Sequence, residues 1–494
     1  MTGRRWWTWP LALVIIGVAA VPLVSHWLTN PADQRLVDLD VYRTGGESIL
    51  RGFPVYDAIT PAPQLLPFTY PPIAALLATP LAAMSWPVAQ WVWTVGVLIC
   101  LAMTVWYGFR ELLARAGQAT SVDFRRGTRP RPNAWVVPVL FGVLTTACMY
   151  LMPIRDQVRF GQVDILLVML CLVDCVARRP WWPRGMLIGL ATAVKLTPGV
   201  FLIYLLITGF GKDGLPEQRK TFAMAAFTTT LLTLLPFVVI PRDAAGFWFS
   251  ALLDSERVGS NTSTTNQSIR GMLLRLYLPD LLTSALWLVL IAVVGWYGFR
   301  HARRALLRGD RMTAVALTGL MAVLISPVAW IHHLAWIVVV LAALTGSRLN
   351  AKAGEAAEVT GSGGSDRSAR SGGSADSASV RQRLRESAWL WVPAGVWLYY
   401  VLPIPWWGVS LRAAEIPVLS PVAGRIVQDA FGLGAIGLVW LLARRTSDSR
   451  AATGRTPATP AAPSAAGRTT TPDPRPTPGP ATTTGRPGGL IAGD

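Results

Sequence analysis

Asp38, Asp40 and Tyr42 stand close together where the first long apolar run of this chain gives way to polar sequence. A carboxylate placed there can act as a general base toward a hydroxyl, provided the two come within hydrogen-bond reach. On an extended segment Asp38 and Asp40 point the same way, whereas on a helix they diverge by about 200°. A plainer alternative is that Asp40 caps a surface helix running from Val41 through Leu50. Lys195 lies inside a later apolar run. Charge is costly there and marks a functional position by default, although an ammonium can also snorkel to the interface. Pro198 follows closely and argues for a broken helix lining a cavity, where the ammonium could hold a lipid-linked phosphate. Arg159 and Arg270 offer the bidentate donors that suit phosphate. Local pairs such as Arg155–Asp156 or Arg159–Asp164 are the simpler account of such residues. His332 and His333 sit at a helix junction beside Trp330 and Trp336. Adjacent histidines point apart on a helix, and four histidines in the chain leave no good zinc set. Hydrogen bonding to a substrate or to the acidic loop suits them better, with an interfacial polar role as the alternative.

The elements that must hold these residues follow from composition. The chain has 494 residues, 52% of them hydrophobic and only 15% charged, against roughly 25% charge in soluble domains. Repeated apolar runs approach or exceed the roughly 18 residues of a membrane helix, and such runs are helical because lipid offers the backbone no partner. An all-α, polytopic membrane protein is expected, with the first run retained rather than cleaved. The net charge of +18 does not point to nucleic acid, because Arg and Lys concentrate in short loops beside apolar runs. That is the positive-inside pattern, and it places both termini in the cytoplasm.

About twelve crossings follow, near 11–28, 88–109, 135–151, 163–177, 185–197, 198–211, 221–240, 282–299, 312–329, 334–347, 388–402 and 425–443, with 71–85 as a re-entrant or interfacial segment of the first outer loop. Residues 1–347 then form the membrane core, 348–387 a flexible Gly/Ser-rich cytoplasmic linker, 388–443 the last membrane helices, and 444–494 a disordered Pro/Thr/Ala-rich tail. Most of the chemistry-bearing residues fall on the side opposite the termini. The four cysteines, Cys100, Cys148, Cys171 and Cys175, lie in or beside apolar runs and read as small buried hydrophobes. No phosphate-binding loop, dinucleotide fingerprint or serine elbow occurs.

Several motifs carry a resemblance to a known family. Asp38-Leu39-x-Val41-Tyr42 is followed in order by Gly52-x-Pro54-x-Tyr56-Asp57, Tyr70-Pro71-Pro72, Gly161-Gln162-Val163-Asp164, Lys195-Leu196-Thr197-Pro198, Asn266-Gln267-Ser268 and Ser326-Pro327-x-x-Trp330-x-His332-His333. This set resembles the actinobacterial polyprenol-phosphate-mannose-dependent α-1,2-mannosyltransferases from about Arg35 to Trp336. The resemblance implies a GT-C architecture at the plasma membrane with an extracytoplasmic site. It implies mannose transfer, with inversion, from polyprenyl-phosphate-mannose to an envelope glycolipid or lipoglycan acceptor. Membrane lipids are then partners, and neither a cofactor nor a metal is needed if cationic side chains handle the phosphate. Asp38 corresponds to the base, with Asp40 as second candidate. Lys195, Arg159 and Arg270 would meet the donor phosphate. Tyr42, Tyr70, Gln162, Asn266, Gln267, His332 and His333 would bind substrate. Asp164 departs from the family's frequent Asn and receives no catalytic role. A transferase of lipid-linked arabinose or glucose, a flippase of lipid-linked sugar, and a recruiting scaffold are the alternatives. Oligomeric state is open.

Overall fold

The computed structural model describes residues 6–31, 35–118, 134–346 and 391–453, except 212, 255, 256, 258 and 418. Among these the chain is helical, with two isolated bridges and no strand. Met1–Ser449 forms one compact unit; of a second unit, Arg450–Asp494, residues 450–453 are described and end a helix.

The helices relevant to the site are α1 (Trp9–Thr29), α2 (Val37–Arg51), α3 (Pro72–Ala83), α4 (Trp86–Gly108), α5 (Arg110–Gln118), α6 (Val136–Met149), α7 (Met152–Phe160), α8 (Asp164–Val176), α9 (Met186–Val194), α10 (Val200–Gly209), α11 (Pro216–Val239), α12 (Pro241–Phe249), α13 (Ile269–Leu274), α14 (Asp280–Leu307) and α15 (Arg311–Leu324). Then come α16 (Ile331–Gly346), α17 (Val392–Val401), α18 (Ile404–Ala413), α19 (Leu419–Gln428) and α20 (Ala430–Thr453). Proline opens α1, α3, α4, α7, α11 and α12 within their first two positions, where its fixed φ suits a helix and its missing N–H is not needed.

Among the described residues, four helices, α1, α4, α11 and α14, are long and apolar enough to cross a bilayer. Two bent pairs raise the number to six if each is one span: α6 with α7 at 78°, and Ser420–Gln428 with Ala430–Thr446 at 59°. The twelve expected crossings are not established by these lengths. Helices α9 and α10 have nine and ten residues, about 15 Å each, half of a hydrocarbon core of roughly 30 Å. Their junction at Lys195–Pro198 is where proline was expected to break the run.

Burial separates the inner from the outer helices. In α1, α11 and α14 only 17% of the apolar window is covered by protein, so their remaining apolar surface faces lipid. Helix α15 is buried from Thr313 to Leu324, and α16 is buried from Ile337 to Leu344. These two lie inside the protein, and His332 and His333 occupy the first turn of α16.

Two boundaries differ from expectation. The last helix continues to Thr453, past the expected start of the tail at Arg444, and a bend after Gln428 interrupts the straight 425–443 span. The expected linker, 348–387, and residues 454–494 of the tail lie outside the described residues.

Candidate active site

Helix α2 brings the first carboxylates into place. It begins at Val37, after Leu36 adopts a left-handed conformation with φ 47°. Asp40 therefore sits in the first turn and does not cap a helix from Val41, which corrects the capping alternative. Helical geometry sends the two carboxylates different ways. The charges acting on Asp38 are Lys195 and Asp164, with the Gln162 amide beside it, while those acting on Asp40 are Arg43 and Glu47. Only Asp38 belongs to the polar cluster. Burial pushes its carboxyl up from 3.8 to about 7, with Lys195 and Gln162 opposing and Asp164 adding to the rise. Burial also raises Asp40, against the pull of Arg43.

Close approach of α2 to its neighbours depends on glycine. Gly161 has φ +71°, and a Cβ there would lie 2.9 Å from Leu39 Cβ. The backbone turns at this point, allowing Gln162 and Asp164 to follow directly against α2, while Leu36 N–H donates to Arg159 C=O at 3.2 Å. On its other face Gly46 lets α2 meet the α3 backbone, since a Cβ would stand 2.7 Å from the Ala78 carbonyl oxygen.

Tyr42, Tyr70 and Gln162 form a buried hydroxyl–amide triad. The two hydroxyls are 3.1 Å apart, and they donate to Gln162 Oε1 at 3.2 and 3.5 Å. Burial raises both phenols, Tyr70 to about 12, so both remain protonated donors. Beside them Lys195 Nζ lies 5.4 Å from the Tyr70 ring centre. It donates to Asp164 Oδ1 at 2.8 Å and contacts His333 Nε2 at 3.0 Å.

The histidines differ from the sequence reading. A tight turn at Ile331–Trp336 brings the two rings to 4.7 Å, and both Nε2 atoms face Asp164 Oδ2, at 3.8 Å from His332 and 3.9 Å from His333. They do not diverge, and they are not interfacial: both are buried within the cluster. Asp164 Oδ2, His332 Nε2 and His333 Nδ1 are buried without a hydrogen-bond partner. One donor atom from each of these three residues falls within 4.8 Å of the others, a spacing that a divalent cation could use. The Lys195 ammonium, touching two of the three residues, already supplies positive charge there.

Four further expected residues lie differently. Asn266 and Gln267 are fully buried, and protein groups engage their side chains. Asn266 Oδ1 accepts from Ala329 N–H at 3.0 Å, and its amide donates to Asn261 C=O at 2.9 Å. Gln267 Nε2 donates to Gln428 C=O at 3.0 Å, and Oε1 accepts from Gly432 N–H at 2.8 Å. They act as braces for the loop that leads into the histidines, assisted by Gln157, whose amide donates to His332 C=O at 2.8 Å. Arg159 is exposed and stacked on Phe160 at 5.0 Å, and Arg270 lies 5.7 Å from the Trp287 ring. Neither guanidinium contacts the cluster.

Asp164 is the residue that sequence reasoning set aside. Its signal was available: a carboxylate at the start of an apolar run, needing a cation, and a lysine in another run with the same need. Together the cluster offers a carboxylate poised near neutrality, an anchored ammonium with N–H capacity to spare, two imidazoles and two phenols, all under an apolar bundle. Such an array can take a proton from a hydroxyl and steady an anionic leaving group.

Comparisons with known proteins bear on this chemistry. The profile of glycosyltransferase family 87 matches residues 68–327. A polyprenol-phosphate-mannose-dependent α-(1-2)-phosphatidylinositol mannoside mannosyltransferase of Mycobacterium tuberculosis is 34% identical over 342 residues, 66% of this chain and 73% of the relative. The protein of the same description from Mycolicibacterium smegmatis is 35% identical, covering 62% of this chain and 68% of its own. A phosphatidylinositol pentamannoside mannosyltransferase of M. tuberculosis is 28% identical over 66% of this chain and 69% of its own. No solved structure matches.

Proposed function

From the premise that this chain belongs to glycosyltransferase family 87, we propose that it transfers mannose from polyprenyl-phosphate-mannose to a hydroxyl of a mannose-bearing phosphatidylinositol glycolipid, forming an α-1,2 linkage. The single observation that carries the mechanism is the meeting of Asp38 with the Lys195–Asp164–histidine cluster. Asp38 takes the acceptor hydroxyl proton as that oxygen forms its bond to the anomeric carbon. The bond from that carbon to the phosphate oxygen breaks on the opposite face, so a β-linked donor gives an α-product. The bonding electrons leave with the prenyl phosphate, which gains one negative charge. Lys195, holding Asp164 and His333 with two of its contacts, has a third N–H for that oxygen. Preorganised donors of this kind are worth most where charge develops.

The site is assigned to the extracytoplasmic face, with the termini in the cytoplasm, because the basic loops lie on the other side of the apolar runs. A twelve-crossing path with residues 71–85 as a re-entrant or interfacial segment, and the partition into core, linker, last helices and tail, belong to the same reading. The test is mannose transfer by the purified full chain from synthetic prenyl-phosphate-mannose to a mannoside acceptor. Transfer with an α-1,2 product supports the proposal; donor flipping in vesicles without transfer to any mannoside would replace it.

A further inference from the structure

Asp164 has two oxygens with different circumstances. Oδ1 accepts from Lys195 Nζ at 2.8 Å. Oδ2 has no hydrogen-bond partner although the residue is only 6% exposed. Its nearest ring nitrogens, His332 Nε2 and His333 Nε2, stand off at 3.8 and 3.9 Å, beyond hydrogen-bond length. An ionised carboxylate oxygen left unsatisfied in a buried site carries a desolvation penalty, and native structures rarely leave such an atom orphaned.

The missing partner is a hydrogen donor or a cation, and the Lys195 ammonium already brings positive charge to Oδ1 and His333. A phosphate oxygen is excluded, since it would add a second negative charge against the carboxylate. The neighbouring donors do not meet Oδ2: Tyr42 and Tyr70 pair with each other and with Gln162, and Lys195 reaches Oδ1 and His333. A sugar hydroxyl has the required chemistry, as it can donate to a carboxylate while its own oxygen accepts from a nearby imidazole. Two such imidazole atoms, His332 Nε2 and His333 Nδ1, are likewise unpartnered.

We propose that Asp164 is a hexose-binding residue, with Oδ1 anchoring Lys195 and Oδ2 accepting a hydrogen bond from a hydroxyl of the substrate hexose. This rests on the mannosyl-transfer reading above. It also joins two tasks in one side chain: the oxygen that fixes the ammonium near the phosphate is rigidly tied to the one that senses the sugar. Sugar recognition and leaving-group stabilisation are thereby assembled together. The hydroxyl belongs either to the transferred mannose or to the acceptor mannose, which present the same chemistry.

The experiment uses the purified full chain with prenyl-phosphate-mannose, a mannoside acceptor, and the deoxy and deoxyfluoro analogue at each free hydroxyl of donor and acceptor. One deoxy analogue should lose about 10- to 100-fold in kcat/KM, the range for a hydrogen bond to a charged group. Its position identifies the hydroxyl and whether donor or acceptor carries it. Asp164→Asn should lose a similar factor on the parent substrates, yet turn over that analogue and the parent alike. The fluoro analogue supplies a readout without mutation. Fluorine cannot donate and its dipole opposes a carboxylate, so it should be no better than the deoxy compound. A fluoro analogue that restores activity would mean that the hydroxyl is held by a donor, and the proposal fails. It fails equally if the wild type ignores every deoxy change, or if Asp164→Asn keeps the same discrimination while retaining the wild-type thermal transition. Absence of mannose transfer by the wild type with every substrate overturns the functional reading itself, a distinguishable result.

Discussion

Replacing Asp38 by Asn should make the protein more stable while abolishing its chemistry. Burial raises the carboxyl from 3.8 to about 7, so the folded state resists the ionised form. For an acid with a raised folded value, the associated stability is complete below the unfolded value and is lost as pH rises through the folded one. At 1.36 kcal/mol for each pH unit, the ionisation penalty reaches about 4 kcal/mol at pH 8 and about 2 kcal/mol at pH 5. Asn has no such penalty, so Asp38→Asn should raise the thermal midpoint in detergent by more at pH 8 than at pH 5. Mannose transfer should fall by at least about 100-fold, the lower range for loss of a general base. The assay pairs thermal unfolding at the two pH values with turnover of prenyl-phosphate-mannose. A variant that is less stable by the same amount at both pH values would make Asp38 a structural residue. Full turnover would remove it from the mechanism.

The same carboxyl should give transfer an acid limb with a midpoint about 7, activity rising with pH as Asp38 ionises. Lys195 lowers that value and Asp164 raises it, so Lys195→Gln should move the limb to higher pH by at least about 1 unit; the rate–pH profile checks the sign. Gly161→Ala should destabilise the fold by about 1–3 kcal/mol, from overpacking against Leu39 and the positive φ, and should reduce turnover more than Gly96→Ala, where a Cβ meets nothing within 4 Å. Gln267→Ala leaves Gln428 C=O and Gly432 N–H without their partner and should cost about 1–3 kcal/mol of stability, seen as a lower thermal midpoint. Arg159→Ala, at an exposed side chain outside the cluster, should change kcat by less than twofold; a large loss would place this guanidinium on the donor phosphate.

What was legible in the sequence was legible for energetic reasons. Lys195 stands out because charge in an apolar run demands compensation, and Asp38 because a carboxylate at the mouth of a membrane bundle is rare. The helical class follows from lipid's inability to satisfy a peptide group. Other features were hidden because they depend on distant partners. Asn266 and Gln267 look the same in sequence whether they face a sugar or brace a loop, and only Ala329, Gln428 and Gly432 reveal the bracing role. Asp164 precedes Lys195 by 31 residues, a separation with no helical periodicity to expose the pair. The left-handed Leu36 moved the start of α2 upstream, since nothing about a leucine announces positive φ.

The brace from Gln267 to Gln428 and Gly432 reaches across a chain separation of more than 160 residues. The family profile ends at residue 327, before the histidines and well before this contact. The working unit is therefore longer than the matched profile: the last helices act as a buttress for the loop that carries the histidines. A graft that transplanted only the matching segment into a relative would carry Asp164 and Lys195 but leave out Asp38, the histidines and the wall they lean on. Boundaries for chimeras in this family belong after residue 446, where α20 has closed against the core, and not where sequence likeness fades.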